Sequence, residues 1–383
     1  MGTKMRKSNY ELLRIISMLL ILMSHSDEIF GLSKMYSTSI GINKLITDFL
    51  HIGGQVGVGC FVLITGYFMI DKTITLKRIL KLTGEVWFYT ITIWLGWFII
   101  KMLQGGIGFK VFGKQTLFAF FPIILRHYWF VTAFVILMIL SPFLNKLIHT
   151  LDYSAYSRFL IILIVVFVVL IGGFPKILPE MVGGRLVPMI IVYFIAGYIK
   201  RFRIERKNNA RKHLMVAVLG YIILFASAFL ITLVGLKMNN AFLLDNRYFY
   251  RVLNSPIVII ICVELFIGFT ELKIRDSRII NTIASCTFGV FLIHANKIIM
   301  PALGKLFPVY KEKSPLLIFV YSMLAVFAMY IVFTLIDYLR QITVEKVWIC
   351  FLDNHLEVMK DKAMMLIKKI ANRVKKIGRA YYK

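Results

Sequence analysis

Acidic residues are scarce in this 383-residue chain: 19 Asp and Glu face 46 Lys and Arg, a formal net charge of +27. Paired cysteines are missing too. Cys60, Cys262, Cys286 and Cys350 stand singly, three of them inside apolar runs, which argues against a disulfide framework, a redox pair or a metal site. No nucleic-acid-reading motif accompanies the basic charge, so no nucleic-acid partner is expected. The longest polar interruption, around Lys200 to His213, is too short to fold alone and leaves no soluble domain on either side. The basic start, Lys4, Arg6 and Lys7, does not read as a secretory signal, because Arg14 interrupts the apolar stretch and no small-residue cleavage site follows.

What is abundant is apolar surface. The chain is 59% hydrophobic, with 32 phenylalanines and a mean hydropathy of +0.78, well above a soluble domain. In a bilayer such runs become helices, and ten candidate spans emerge, near 10–30, 50–71, 82–104, 127–148, 158–174, 185–200, 213–236, 250–271, 280–302 and 315–339. The stretch 161–172 is so closely bounded that a short or broken helix is expected there. With the N-terminus inside, the inner loops collect Lys72, Lys77, Arg78 and Lys81, then Lys200, Arg201, Arg203, Arg206, Lys207, Arg211 and Lys212, then Lys273, Arg275 and Arg278. The first outer loop has only Lys34 and Lys44. This bias predicts a multi-pass protein of the plasma or inner membrane with both termini cytoplasmic. The fold class expected is all-α: a bundle of about ten transmembrane helices over residues 8–340, followed by a basic amphipathic helix over 354–383. In that tail Met359, Ala363, Ile367, Ile370, Val374 and Ile377 recur at three or four residues among Lys360, Lys368, Lys369, Arg373, Lys375 and Lys376, a pattern that suits anionic lipid.

The first span carries the most specific feature. Arg14 and His25 are eleven residues apart, three helical turns plus about 20°, so they share one face at roughly 16 Å separation. Ionisable groups inside a span cost roughly 2.5–3.5 kcal/mol on insertion scales and therefore line a bundle interior or a wet cavity. Snorkelling of Arg14 or its pairing with Glu11 at i,i+3 is the duller alternative. Asp27 adjoins His25 in sequence but faces another way, a poor orienting partner.

At this point a family resemblance enters. Arg14-x10-His25 behind Tyr10-Glu11-Leu12-Leu13, then Gly57-Val58-Gly59-Cys60-Phe61-Val62-Leu63-Ile64-Thr65-Gly66-Tyr67-Phe68, resembles the membrane-bound acyltransferase-3 family. His127-Tyr128-Trp129-Phe130-Val131, Tyr193-Phe194-Ile195-Ala196-Gly197-Tyr198 and Thr287-Phe288-Gly289-Val290-Phe291-Leu292-Ile293-His294 resemble its later landmarks in the same order. The resemblance implies ten spans, a cytoplasmic acyl-CoA co-substrate and acyl transfer to a sugar hydroxyl on an envelope or exported glycan or its lipid-linked precursor. Two departures stand out: Gly59 or Cys60 and Thr65 occupy positions where members carry an acid and a serine, and Lys77-Arg78-x2-Lys81 replaces closely spaced arginines.

Acyl transfer from a thioester to a hydroxyl needs a base, and histidine suits it. His25 and His294 are the catalytic candidates together with Arg14, the two histidines lying at similar depth, with Lys297 three residues beyond His294. Arg14, Arg78 and Lys81 are expected to hold the phosphates of acyl-CoA, with acetyl-CoA favoured over succinyl-CoA and no bound cofactor or metal. Trp129, Tyr67 and Arg251 are the acceptor candidates, although Trp and Tyr commonly serve as interfacial belt residues and Tyr67 beside Gly66 also reads as helix packing. Glu85 and Glu264 are carboxylates inside apolar spans, either neutral or, for Glu85, paired with Lys81 at i,i+4; Glu85 reads as structural and Glu264 is open. A transporter that flips a lipid-linked or polymeric glycan is the alternative reading.

Overall fold

A chain in a bilayer has to satisfy its backbone internally, so apolar runs of about twenty residues become helices and their breaks fall at charge, glycine or proline. The computed structural model describes residues 7–36, 40–174, 185–202, 209–312 and 314–381. Its helices are α1 (Ser8–Phe30), α2 (Leu32–Met35), α3 (Ile42–Ile52), α4 (Gly54–Met69), α5 (Leu76–Leu103), α6 (Phe109–Phe120), α7 (Trp129–Thr150), α8 (Tyr153–Leu163), α9 (Leu186–Arg201), α10 (Ala210–Lys237), α11 (Ala241–Asp245), α12 (Pro256–Glu271), α13 (Arg278–Ser285), α14 (Thr287–His294), α15 (Ile299–Leu306), α16 (Pro315–Ile342) and α17 (Val344–Tyr381). The protein is an all-α integral-membrane bundle.

Seven helical stretches among the described residues are long and apolar enough to cross a membrane, or eight if the bent α13–α15 segment is one span, against the ten expected. The difference has two sources. α1 is interrupted by Glu11, Arg14, Asp27 and Glu28, and α9 has only 16 residues. Both are packed inside the bundle: α1 against α4, α3 and α13, and α9 against α4 and α7. The α3–α4 segment is largely buried as well, whereas α5, α8 and α10 bury less than a quarter of their apolar windows. Those outer helices present Leu95, Ile99, Ile162, Leu219 and Ile222 outward, the surface a lipid environment solvates.

Two irregular helices bear on the site. After α8 the chain continues into a π-helical stretch, Ile164–Ile171, in place of a short or broken span. Asn254 explains it: its Nδ2 donates to the Phe167 carbonyl at 3.1 Å, and a side chain inserted into the helical ladder is a known cause of such irregularity. The expected span 280–302 bends by 93° between α14 and α15. Asn296 makes the bend, its Oδ1 accepting from the Ile298 amide at 2.9 Å while its carbonyl accepts from the amides of Ile299 and Met300, an Asx turn that ends one helix and starts the next.

The expected boundary at residue 354 falls inside α17, which runs on unbroken. Its first turns lie against α5, where Trp348 Nε1 donates to the Leu80 carbonyl at 3.2 Å and Lys77 pairs with Asp353. Farther along, the side chains of Met359, Lys360, Ala363, Ile367, Lys368, Ile370, Arg373, Val374, Lys375, Lys376 and Ile377 lie outside those described, as do Lys4, Arg6, Arg203, Arg206 and Lys207 and the Lys34 side chain. Lys369 is exposed. Truncation after Asp353 keeps the α5 contacts; the expected outcome is a normally inserted protein with a lower thermal midpoint in anionic bilayers and unchanged activity, and total loss of activity in a normally inserted truncation would contradict it.

Candidate active site

The stripe Arg14, Met18, Ile21, His25 on α1 follows from the helical period, and its first three members line a cavity of about 300 Å³. Phe288 and Phe291 of α14 face the same cavity, one turn before His294. The two helices bring the imidazoles together: His25 Nδ1 lies 3.0 Å from His294 Nε2. On its other side His294 Nδ1 lies 2.7 Å from the Val290 carbonyl, which can only accept. With both rings neutral the tautomers follow. His294 carries its hydrogen on Nδ1 and accepts at Nε2 from His25 Nδ1–H, so Nε2 of His25 is left with its lone pair. His294 is fully buried and His25 partly exposed. Phe291 lies beside the pair, its ring centroid 6.5 Å from His25 and 5.8 Å from His294.

The end of α14 is pinned by α7's approach. Tyr128 donates its hydroxyl to the Leu292 carbonyl at 2.9 Å and accepts from Asn296 Nδ2 at 2.8 Å. Lys297 follows the bend and so does not share the His294 face; its ammonium sits over the Phe118 ring at 5.6 Å.

Arg78 and Lys81 of α5 line the same cavity as Arg14, so the three residues expected at the donor end converge. Thr65, Leu82, Phe130, Phe134 and Met138 complete much of its wall. Arg14 Nε is 3.2 Å from Glu11, and Lys81 Nζ is 2.6 Å from Glu345. Glu85, also in the wall, does not pair with Lys81 as expected but with Arg340 of α16 at 3.1 Å, because Lys81 is drawn to Glu345 at the start of α17. Glu264 is bound to His213, Oε2 to Nδ1 at 2.7 Å. Gly59 packs against α12; a Cβ there would meet Cys262 Sγ at 2.5 Å, so the position leaves no room for a larger side chain.

A buried network escaped the sequence reading. Arg340 is bound to Asp337 at 2.7 Å, Glu345 at 2.9 Å and Glu85, and Asp337 also accepts from Tyr89 and from Gln341, each at 2.7 Å. The signal was present as Asp337 and Arg340 at i,i+3 within the last apolar span.

The acceptor candidates separate. Arg251 Nη1 lies 3.3 Å from both Ser24 Oγ and the His51 carbonyl, next to His25. Trp129 is covered by the Arg185 guanidinium at 4.3 Å, and Arg185 is among the charges acting on Arg251. Tyr67 is elsewhere, 4% exposed and packed against Tyr10, Phe266 and the Lys200 ammonium, where it serves the core. Asp27 faces away from His25, as its register required, and meets His51 at 2.9 Å. Lys44, expected in an outer loop, is buried on α3 in a pair with Asp48. Past His25, the end of α1 and α15 border a wider depression of about 550 Å³ lined by Glu28, Phe30, Pro301 and Lys305 among others.

A family model described as an acyltransferase domain matches residues 7–335. No curated protein and no solved structure matches the chain.

Proposed function

The chain belongs to the acyltransferase-3 family, and from that premise we propose that it transfers an acyl group, acetyl rather than succinyl, from cytoplasmic acyl-CoA to a sugar hydroxyl of an envelope or exported polysaccharide or its lipid-linked precursor. The observation that carries this reading is the His25–His294 contact standing at one end of a cavity whose wall includes Arg14, Arg78 and Lys81. Guanidinium and ammonium groups grouped at a cavity mouth suit the phosphates of CoA, and the apolar stretch of Met18, Ile21 and Phe291 suits the uncharged arm that carries the thioester.

In the transfer step Nε2 of His25 takes the proton of the acceptor hydroxyl as its oxygen attacks the thioester carbon. The new C–O bond forms, the C–S bond breaks, and the imidazolium returns the proton to the departing thiolate, giving ester and free thiol. His294 acts as a positioning residue: its Nε2 holds His25 Nδ1–H, which fixes the tautomer and steadies the imidazolium that forms. The protein sits in a cell membrane with both termini cytoplasmic in this scheme, the donor cavity opening inward and the depression beyond His25 receiving the glycan.

Removing Arg14 tests the donor end. Hydrogen bonds to charged groups contribute about 1.5–3 kcal/mol, so Arg14→Ala should raise the acyl-CoA dissociation constant roughly ten- to hundredfold. Unchanged donor affinity in a folded variant would remove Arg14 from the donor site.

A further inference from the structure

Two buried charges near His25 have no part in the step just described. We propose that Asp27 and His51, with Arg251, form a subsite that orients the acceptor sugar through a hydroxyl adjacent to the one acylated, an inference that rests on the acyltransferase reading above.

Asp27 is fully buried, its Oδ2 2.9 Å from His51 Nδ1, and the His51 side chain keeps 14% of its surface exposed. A carboxylate taken completely out of water is costly unless a partner answers it, and an ordinary packing position would be filled more cheaply by an apolar side chain. The Asp27–His51 contact holds the two side chains together by proximity and charge and leaves the tautomer of His51 open. The ring is locked from its flank. Tyr248 lies against it at 4.2 Å between centroids, tilted by 40°, and donates its hydroxyl to Asp48 at 2.8 Å, while Asp48 is held in turn by Lys44.

The same cluster is tied to the catalytic helix. Ser24, the residue before His25, donates its Oγ to the His51 carbonyl at 2.8 Å, and Arg251 bridges that hydroxyl and that carbonyl. The neighbourhood of His25 therefore presents a second imidazole and one guanidinium that donates. A single alcohol would use His25 alone. A sugar unit with neighbouring hydroxyls gives one to His25 and the next to His51, with Arg251 donating to a ring or substituent oxygen.

The test uses the full chain in nanodiscs, with radiolabelled acetyl-CoA and succinyl-CoA as donors and methyl glycosides beside their monodeoxy analogues as acceptor probes. Wild type should prefer an intact glycoside over the analogue lacking the adjacent hydroxyl by about tenfold in kcat/KM. In His51→Gln, and in the near-isosteric Asp27→Asn, that preference should vanish through a raised acceptor KM while the acyl-CoA KM stays put. Discrimination retained in His51→Gln, or a parallel fall for every substrate with the donor KM displaced, overturns the subsite. Wild type that consumes acyl-CoA yet acylates no glycoside overturns it as well and leaves the acyltransferase reading intact, whereas no consumption of either donor removes both.

Discussion

Arg340→Met is expected to be the most damaging single substitution in the bundle. The guanidinium is 5% exposed and answers three carboxylates, Asp337, Glu85 and Glu345, on three different helices. Removing one partner of a buried ion pair costs about 3–5 kcal/mol; Glu345 keeps Lys81, whereas Asp337 and Glu85 lose the cation that answers them. Here the loss is compounded by packing. α14 crosses α16 so closely at Gly289 that a Cβ would lie 2.1 Å from Asp337 Oδ1, which leaves the stranded carboxylate no room to turn away. Since Glu85 also borders the donor cavity, the damage reaches the site. The expected result is a collapse in detergent-extractable folded protein and a large drop in thermal midpoint; a variant as stable as wild type would show that the network is not structural.

His25→Gln is expected to have the largest effect on chemistry. Glutamine keeps a polar side chain near the His294 nitrogen but offers no base, and general-base catalysis contributes typically 10²–10⁴-fold. Transfer should fall by that factor with acyl-CoA affinity near normal, because Arg14 lies three turns away along α1 and the other two cations, Arg78 and Lys81, are on α5. His294→Gln should fall less, by about 10–100-fold, as expected for a residue that acts by orienting its neighbour. Comparable losses in the two variants would instead place both imidazoles in the reaction itself.

Much of this site was legible before any coordinates. The period of a helix is enough to align Arg14 with His25, whereas the family resemblance of the stretch after α4 nominates Arg78 and Lys81; one cavity wall includes all three cations. The fold class was legible for the same reason, since apolar runs of membrane length have few options. What the sequence withheld were events that depend on a second helix. The bend after His294 is written in Asn296, yet an asparagine at the end of an apolar run reads as a turn only once its amide has found Tyr128. Glu85 was assigned to its helical neighbour Lys81 because local spacing is visible and the approach of α16 is not. Tyr67 belongs to an aromatic cluster whose members come from α1, α4 and α12, contacts that no single-helix pattern reports. The span count differs at α1 for a related reason: Glu11, Arg14, Asp27 and Glu28 make it less apolar than an ordinary membrane helix, although it is packed inside the bundle.

The most direct test of the account is acyl-donor consumption by the purified protein in nanodiscs, with radiolabelled acetyl-CoA and succinyl-CoA, wild type beside His25→Ala and Arg14→Ala. The account predicts that wild type releases or transfers the acyl group, that His25→Ala does neither while still binding donor, and that Arg14→Ala binds donor poorly. Wild type that neither binds nor consumes any acyl-CoA would contradict it and would make glycan transport, which needs no acyl donor, the reading to pursue.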